Sequence, residues 1–209
     1  MDGEQSELQS TQVVQAAWAF YLLLAVGGVV WIGIREETIP LTLFLDPSGW
    51  WIDLAAGIAA GLGLVALWRF GMRRLAVGRR LESRLGSVLG PLTGEQAVTL
   101  AVFSGIAEEL FFRGAVQGSW GWLWATLLFA LLHSGRGPSL YLWTAFAAVA
   151  GGLLGGLVLW RGNLLAPMVA HFLVNAVNLQ RLGAAVAAGE TAGEGDGDGP
   201  RGGRNGGGA

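Results

Sequence analysis

The chain has 209 residues, of which 53% are hydrophobic and only 13% charged, with a mean hydropathy of +0.51 and a formal net charge of −2. Soluble domains carry about 25% charged residues, so this composition excludes an ordinary soluble fold and points to an all-α, polytopic membrane helix bundle. The absence of cysteine excludes disulfides, thiolate metal sites and a cysteine nucleophile, and no basic, aromatic-interleaved patch suggests nucleic acid as a partner.

In chain order, residues 1–11 are polar and acidic without the basic n-region of a signal peptide, which predicts a short solvated tail. A first apolar span is expected from about Gln12 to Ile34, with Trp18, Tyr21 and Trp31 as interfacial anchors. A loop with Pro40, Asp46, Pro47 and Gly49 separates it from a second span, about Trp50 to Trp68. There Gly57 and Gly61 form a small-xxx-small pair that lets helix backbones approach. Arg69, Arg73, Arg74, Arg79, Arg80 and Arg84 follow against a single Glu82, with Leu81, Leu85, Val88 and Leu89 at helical spacing. That pattern predicts an amphipathic interfacial helix lying on anionic lipid, and the positive-inside rule puts this side in the cytoplasm.

Pro91 breaks the chain, and Thr93-Gly-Glu-Gln96 has the spacing of a capping box, so a third span is expected to start near Gly94. A fourth is expected from about Trp120 to His133, a fifth from about Ser139 to Trp160, and a sixth from about Asn163 to Leu182. In the fifth, Gly151/Gly155 and Gly152/Gly156 are overlapping GxxxG pairs read as close packing. The sixth admits Pro167 in its first turn, where the missing backbone donor matters little. The remaining residues, 183–209, are dominated by glycine and acidic residues, with nothing to bury, and are expected to be disordered. The expectation is therefore about six transmembrane helices plus the interfacial helix, an integral protein of the cell membrane with both termini cytoplasmic. Residues 12–92 would form two spans and the Arg-rich segment, and residues 93–182 a catalytic core.

The polar residues of that core demand a reason. Glu108, Glu109 and Arg113 interrupt the third span, and a carboxylate at mid-bilayer costs at least about 2.5 kcal/mol on insertion scales. Glu109 and Arg113, four apart, share a helical face and can pair, which makes them supporting residues. Glu108, rotated roughly 100° away, is free to address something else. The two histidines of the chain, His133 and His171, both fall in predicted spans, and counting at 1.5 Å per residue puts them and Glu108 near the midplane or in the cytoplasmic half. A carboxylate and two imidazoles can activate water, with Asn175, one turn after His171, adding an oxyanion donor. They can also form a zinc set, but Glu108, His133 and His171 are scattered over three helices without H-E-x-x-H spacing, so no cofactor is certain and zinc stays open.

These residues form three motifs in order: Glu108-Glu109-Leu-Phe-Phe-Arg113, Phe129-Ala-Leu-Leu-His133 and His171-Phe-Leu-Val-Asn175. Together they resemble the EExxxR, FxxxH and HxxxN motifs of the CPBP family, the CAAX proteases and bacteriocin-processing enzymes that include the type II CAAX prenyl endopeptidases. The resemblance covers about Thr93 to Leu182. It implies an intramembrane endopeptidase acting on a membrane-associated or CAAX-type substrate. In that reading Glu108 and His133 activate water, while His171 and Asn175 form the oxyanion side. The family is described both as metalloproteases and as metal-independent glutamate proteases. The alternative is a non-catalytic membrane scaffold or bacteriocin-immunity-type binding protein, in which the same polar residues tie helices together.

Overall fold

The computed structural model describes residues 2–72 and 74–189; Arg73 and the glycine-rich tail from residue 190 onward lie outside them. Every regular element among the described residues is helical. Helix α1 spans Asp2–Glu36 and so runs through most of the stretch expected as a tail. Helix α2 is Trp50–Ala66, closed by π-helical turns over Leu67–Met72, and α3 is Ala76–Leu89. Helix α4, Gly94–Glu109, runs on into a π-helical segment, Leu110–Gln117. After a break at Gly121 come α5, Trp122–Leu132, then α6, Pro138–Arg161, and α7, Leu165–Ala187.

Among the described residues, three stretches are long and apolar enough to cross a membrane by length and composition: Thr11–Glu36, Trp50–Gly71 and Pro138–Arg161. The shortfall from the expected six has a local cause in each remaining helix. Helix α5 has only 11 residues, about 17 Å of rise against a ~30 Å hydrocarbon core. The α4–π unit and α7 are long enough but carry the polar side chains of the site. Apolar side chains such as Phe20, Leu22, Leu23 and Val26 of α1 and Leu153 and Leu159 of α6 remain exposed. An exposed apolar surface of that extent belongs against lipid. The protein is a membrane-embedded all-α bundle.

Small residues bring the helices together. A Cβ at Gly61 would lie 3.0 Å from the Ala170 carbonyl oxygen, and Gly57 is tighter still, 2.5 Å from the Ala166 carbonyl oxygen. The expected small-xxx-small pair of α2 is thus the seam along which α7 packs. The glycines of α6 serve a second purpose as well. Gly151 and Gly155 face side chains of α5 and the π segment, and nothing lies within 4 Å of a Cβ at Gly156. What they offer is backbone: Gly151, Gly152 and Gly155 carbonyls accept from Arg113, Trp122 and Gln117. A missing Cβ lets Trp122 and Phe129 pack close at Gly155 and Gly151, as the GxxxG spacing predicted, and also leaves the carbonyls open to a neighbour's donor.

The α4 start forms as expected. Thr93 Oγ1 accepts from the Gln96 amide at 3.1 Å and Gln96 Oε1 accepts from the Thr93 amide at 2.9 Å, the reciprocal bonds of a capping box. At the other end, Gly162 takes the left-handed conformation (φ 73°) and closes α6 with a bond to Val158. The turn delivers Asn163 and Arg161 to Asp53 of α2, which is completely buried. Asn163 Nδ2 donates to Asp53 Oδ2 at 2.9 Å and Arg161 Nε donates to Oδ1. The expected sixth span thus starts two residues late, at Leu165, because Asn163 is spent on this clasp, and it runs on to Ala187, into the stretch expected to be disordered.

Candidate active site

Helix α4 carries Ser104, Glu108 and Glu109 inward, and all three are buried. The helix widens into π turns at Leu110, an irregularity that often marks functional positions. The π geometry leaves the Gly114 and Ala115 carbonyls to accept from Arg35 Nη1 of α1, at 3.0 and 3.1 Å. Glu109 and Arg113 pair as the spacing predicted, with Arg113 Nη1 to Glu109 Oε1 at 3.2 Å and Nε to Oε2 also at 3.2 Å. Arg113 is further held by the Gly151 carbonyl at 3.1 Å and by the Phe129 ring, 4.4 Å from its guanidinium carbon.

Glu109 does more than pair with Arg113. Its Oε1 accepts from Nδ1 of His171 at 2.7 Å, a bond that spacing alone did not suggest because it joins α4 to α7. A carboxylate can only accept here, so the proton sits on Nδ1 and Nε2 points away from Glu109. His133, at the end of α5, is fixed in the same sense: Nδ1 donates to the Phe129 carbonyl at 2.8 Å. Its ring stacks on Phe129 at 4.5 Å and on Trp143 at 5.9 Å, and its own carbonyl accepts from Thr144 Oγ1 at 3.1 Å.

Both Nε2 atoms face one oxygen. Glu108 Oε2 stands 3.9 Å from His133 Nε2 and 3.9 Å from His171 Nε2, and it is buried without a hydrogen-bond partner. The structure therefore brings together all three residues that the sequence placed on separate spans. A separation of 3.9 Å is too long for a hydrogen bond. It is the span of two ligands of one water, each about 2.8 Å away at an angle of roughly 90°. Zinc fits these positions less well. Ligands at about 2.1 Å in tetrahedral order lie ~3.4 Å apart, closer than the 3.9 Å found here, and no group of three His, Cys, Asp or Glu among the described residues is arranged to hold a metal ion. Glu108, His133 and His171 as placed do not form a zinc site.

Asn175 lies on the same face of α7 as His171, and its Nδ2 donates to Ser104 Oγ at 2.7 Å. Ser104 in turn donates to the Ala101 carbonyl at 3.2 Å. One N–H of the amide remains for another acceptor. Ser104 and Phe129 were not singled out as functional from the sequence. For Ser104 the signal was present, since it stands one turn before Glu108 on the same helical face. Phe129, the first position of its motif, touches Arg113, His133 and His171 together, a role that needs the fold.

His133, His171 and Asn175 line a cavity of about 320 Å³ with largely apolar walls, among them Leu64, Phe146 and Leu154. Arg79, Glu82, Ser83 and Leu85 of α3 also line it. The amphipathic helix expected to lie on lipid is therefore also a wall of the cavity.

Residues 93–177 match the family model described as Rce1-like, type II CAAX prenyl endopeptidase. The resemblance read from the three motifs is borne out over the segment that carries them. The chain is also 40% identical over 80 residues to an uncharacterized protein, YpbD, of Bacillus subtilis (strain 168), an overlap of 38% of this chain and 42% of that protein. The match thus spans less than half the length of that curated relative. No solved structure matches the chain significantly.

Proposed function

We propose that this protein is an intramembrane endopeptidase of the CAAX-protease type that hydrolyses a peptide bond with water activated by Glu108. The observation that carries the reading is the buried, partnerless Glu108 Oε2 held 3.9 Å from two imidazole nitrogens. A buried charge without a partner is costly, and a reacting water would meet that need. Glu108 takes one proton from the water as the resulting hydroxide adds to the scissile carbonyl carbon, and His133 Nε2, which carries a lone pair, accepts a hydrogen bond from the O–H that the hydroxide keeps. The developing oxyanion is met by the remaining Asn175 N–H, and by His171 Nε2 when that ring carries both protons. Collapse of the tetrahedral intermediate breaks the C–N bond, and Glu108 returns its proton to the leaving amine. Glu109 and Arg113 hold the His171 ring and do not touch the reacting atoms.

The apolar cavity beside these groups suits a membrane-associated peptide or protein, of CAAX or related type, approached within the bilayer. The arginines of residues 69–84 favour an orientation with the α3 end and both termini cytoplasmic, in the cell membrane. The opposing reading, a non-catalytic scaffold or immunity-type binding protein, draws on the Arg113–Glu109–His171 network, which ties helices whether or not chemistry occurs. The test is cleavage of a farnesylated CAAX reporter peptide by detergent-purified protein, wild type against Glu108→Gln, with and without a strong chelator. Cleavage lost in the folded Glu108→Gln variant supports the protease, and indifference to the chelator supports the metal-free route. Equal activity of the two proteins would sink the assignment of Glu108.

A further inference from the structure

Helix α3 presents two faces with different chemistry. Gly78, Leu81 and Gly86 are buried against the bundle, Glu82 accepts from the Trp68 indole N–H at 3.0 Å, and Leu85 and Leu89 line the cavity that His133, His171 and Asn175 share. The opposite face exposes Arg80 and Arg84. Arg79 donates to the Arg74 carbonyl, while Arg80 and Arg84 have no ion-pair partner among the described residues. Arg80 and Arg84 are four apart on one stripe, where like charges repel, and Arg69, Arg74 and Arg79 crowd the same end of the bundle. Leu81 and the Trp68–Glu82 bond are among the contacts that oppose that repulsion.

We propose that the Arg80–Arg84 face of α3 docks on anionic lipid headgroups, and that this docking seats α3 as the cavity wall, so that membrane surface charge controls how completely the cavity is enclosed. Each basic residue near an anionic surface biases docking by about 5-fold, and two by roughly 25-fold. The effect is electrostatic and falls away as salt shortens the screening length to about 3 Å near 1 M. The seating of α3 is independent of what the cavity does; its consequence for cleavage rests on the protease reading above.

The chain has no cysteine, so Leu85→Cys places a single thiol on the cavity wall. The experiment is its alkylation by a water-soluble maleimide in full-length protein reconstituted into phosphatidylcholine vesicles, with or without ~30% phosphatidylglycerol. Alkylation is expected to be several-fold slower in the anionic vesicles. High salt, or Arg80→Gln with Arg84→Gln, should remove the difference, and the salt arm needs no further substitution should the double variant fail to fold. Equal rates in both vesicles, faster alkylation in the anionic ones, or a difference that survives high salt would each overturn the proposal. None of these readings requires cleavage, so they stand or fall separately from the enzymatic assignment.

Discussion

Two buried carboxylates of this bundle, Asp53 and Glu108, differ in how they are satisfied. Asp53 has both oxygens occupied, one by Arg161 and one by Asn163. Glu108, buried almost as fully at 6% exposure, has an oxygen with no partner and two imidazole nitrogens standing off at 3.9 Å. A satisfied buried charge closes a structure, whereas an unsatisfied one stores a cost that only a third body can relieve. Glu109 lies next to Glu108 in sequence yet belongs with Asp53, since Arg113 and His171 claim it.

Substitutions can break this contrast. Glu108→Gln should lower the cleavage rate by about 10⁴-fold, some 5.5 kcal/mol of barrier, while the thermal midpoint in detergent stays level or rises, because an uncompensated buried charge has been removed. A clear fall in that midpoint would place Glu108 in the same class as Asp53. Asp53→Ala should do the reverse, costing about 4 kcal/mol of stability by stranding Arg161 and leaving the rate per folded molecule unchanged; unfolding by detergent titration reads the first and active-fraction kinetics the second. Arg113→Ala should cost about 3 kcal/mol, since it strands Glu109. An Arg113→Ala protein of normal thermal stability that has nevertheless lost activity would show that the pair acts in the chemistry.

Two smaller changes sharpen the comparison. Ser104→Ala removes the acceptor that orients the Asn175 amide and should cost about 1 kcal/mol, read as a lower kcat at unchanged KM, with Ser104→Thr restoring it. Asp46 sits half-buried beside the Asp53 clasp, 3.9 Å from Arg161. The Ser48 hydroxyl and backbone amide hold its carboxyl below the ordinary value of 3.8. A carboxyl lowered on folding stabilises the fold above its unfolded-state pKa, and that contribution is lost as pH falls through the lower folded value. Asp46→Asn should therefore flatten the pH dependence of unfolding only below about pH 4, and by little, because the pair is solvated.

Much of this arrangement was legible in the chain itself. Composition excluded a soluble domain, the Thr93–Gln96 capping box located the start of α4 and the α2 glycines marked a packing seam. Glu108, His133, His171 and Asn175 stood out because polar groups in apolar helices need a reason. Each of those signals is local, set by residue type and helical period. What the sequence could not order was everything that depends on which helix faces which. It paired Glu109 with Arg113 but not with His171, 62 residues away. It read the α6 glycines as close packing but not as presenting carbonyls, and α3 as a lipid-lying helix when it also walls the cavity. It gave no sign of the Asp53–Arg161–Asn163 clasp. The physical reason is common to all of these: a polar group's partner is chosen by tertiary geometry, and in an apolar interior that choice alone separates a carboxylate that holds the bundle from one left free for chemistry.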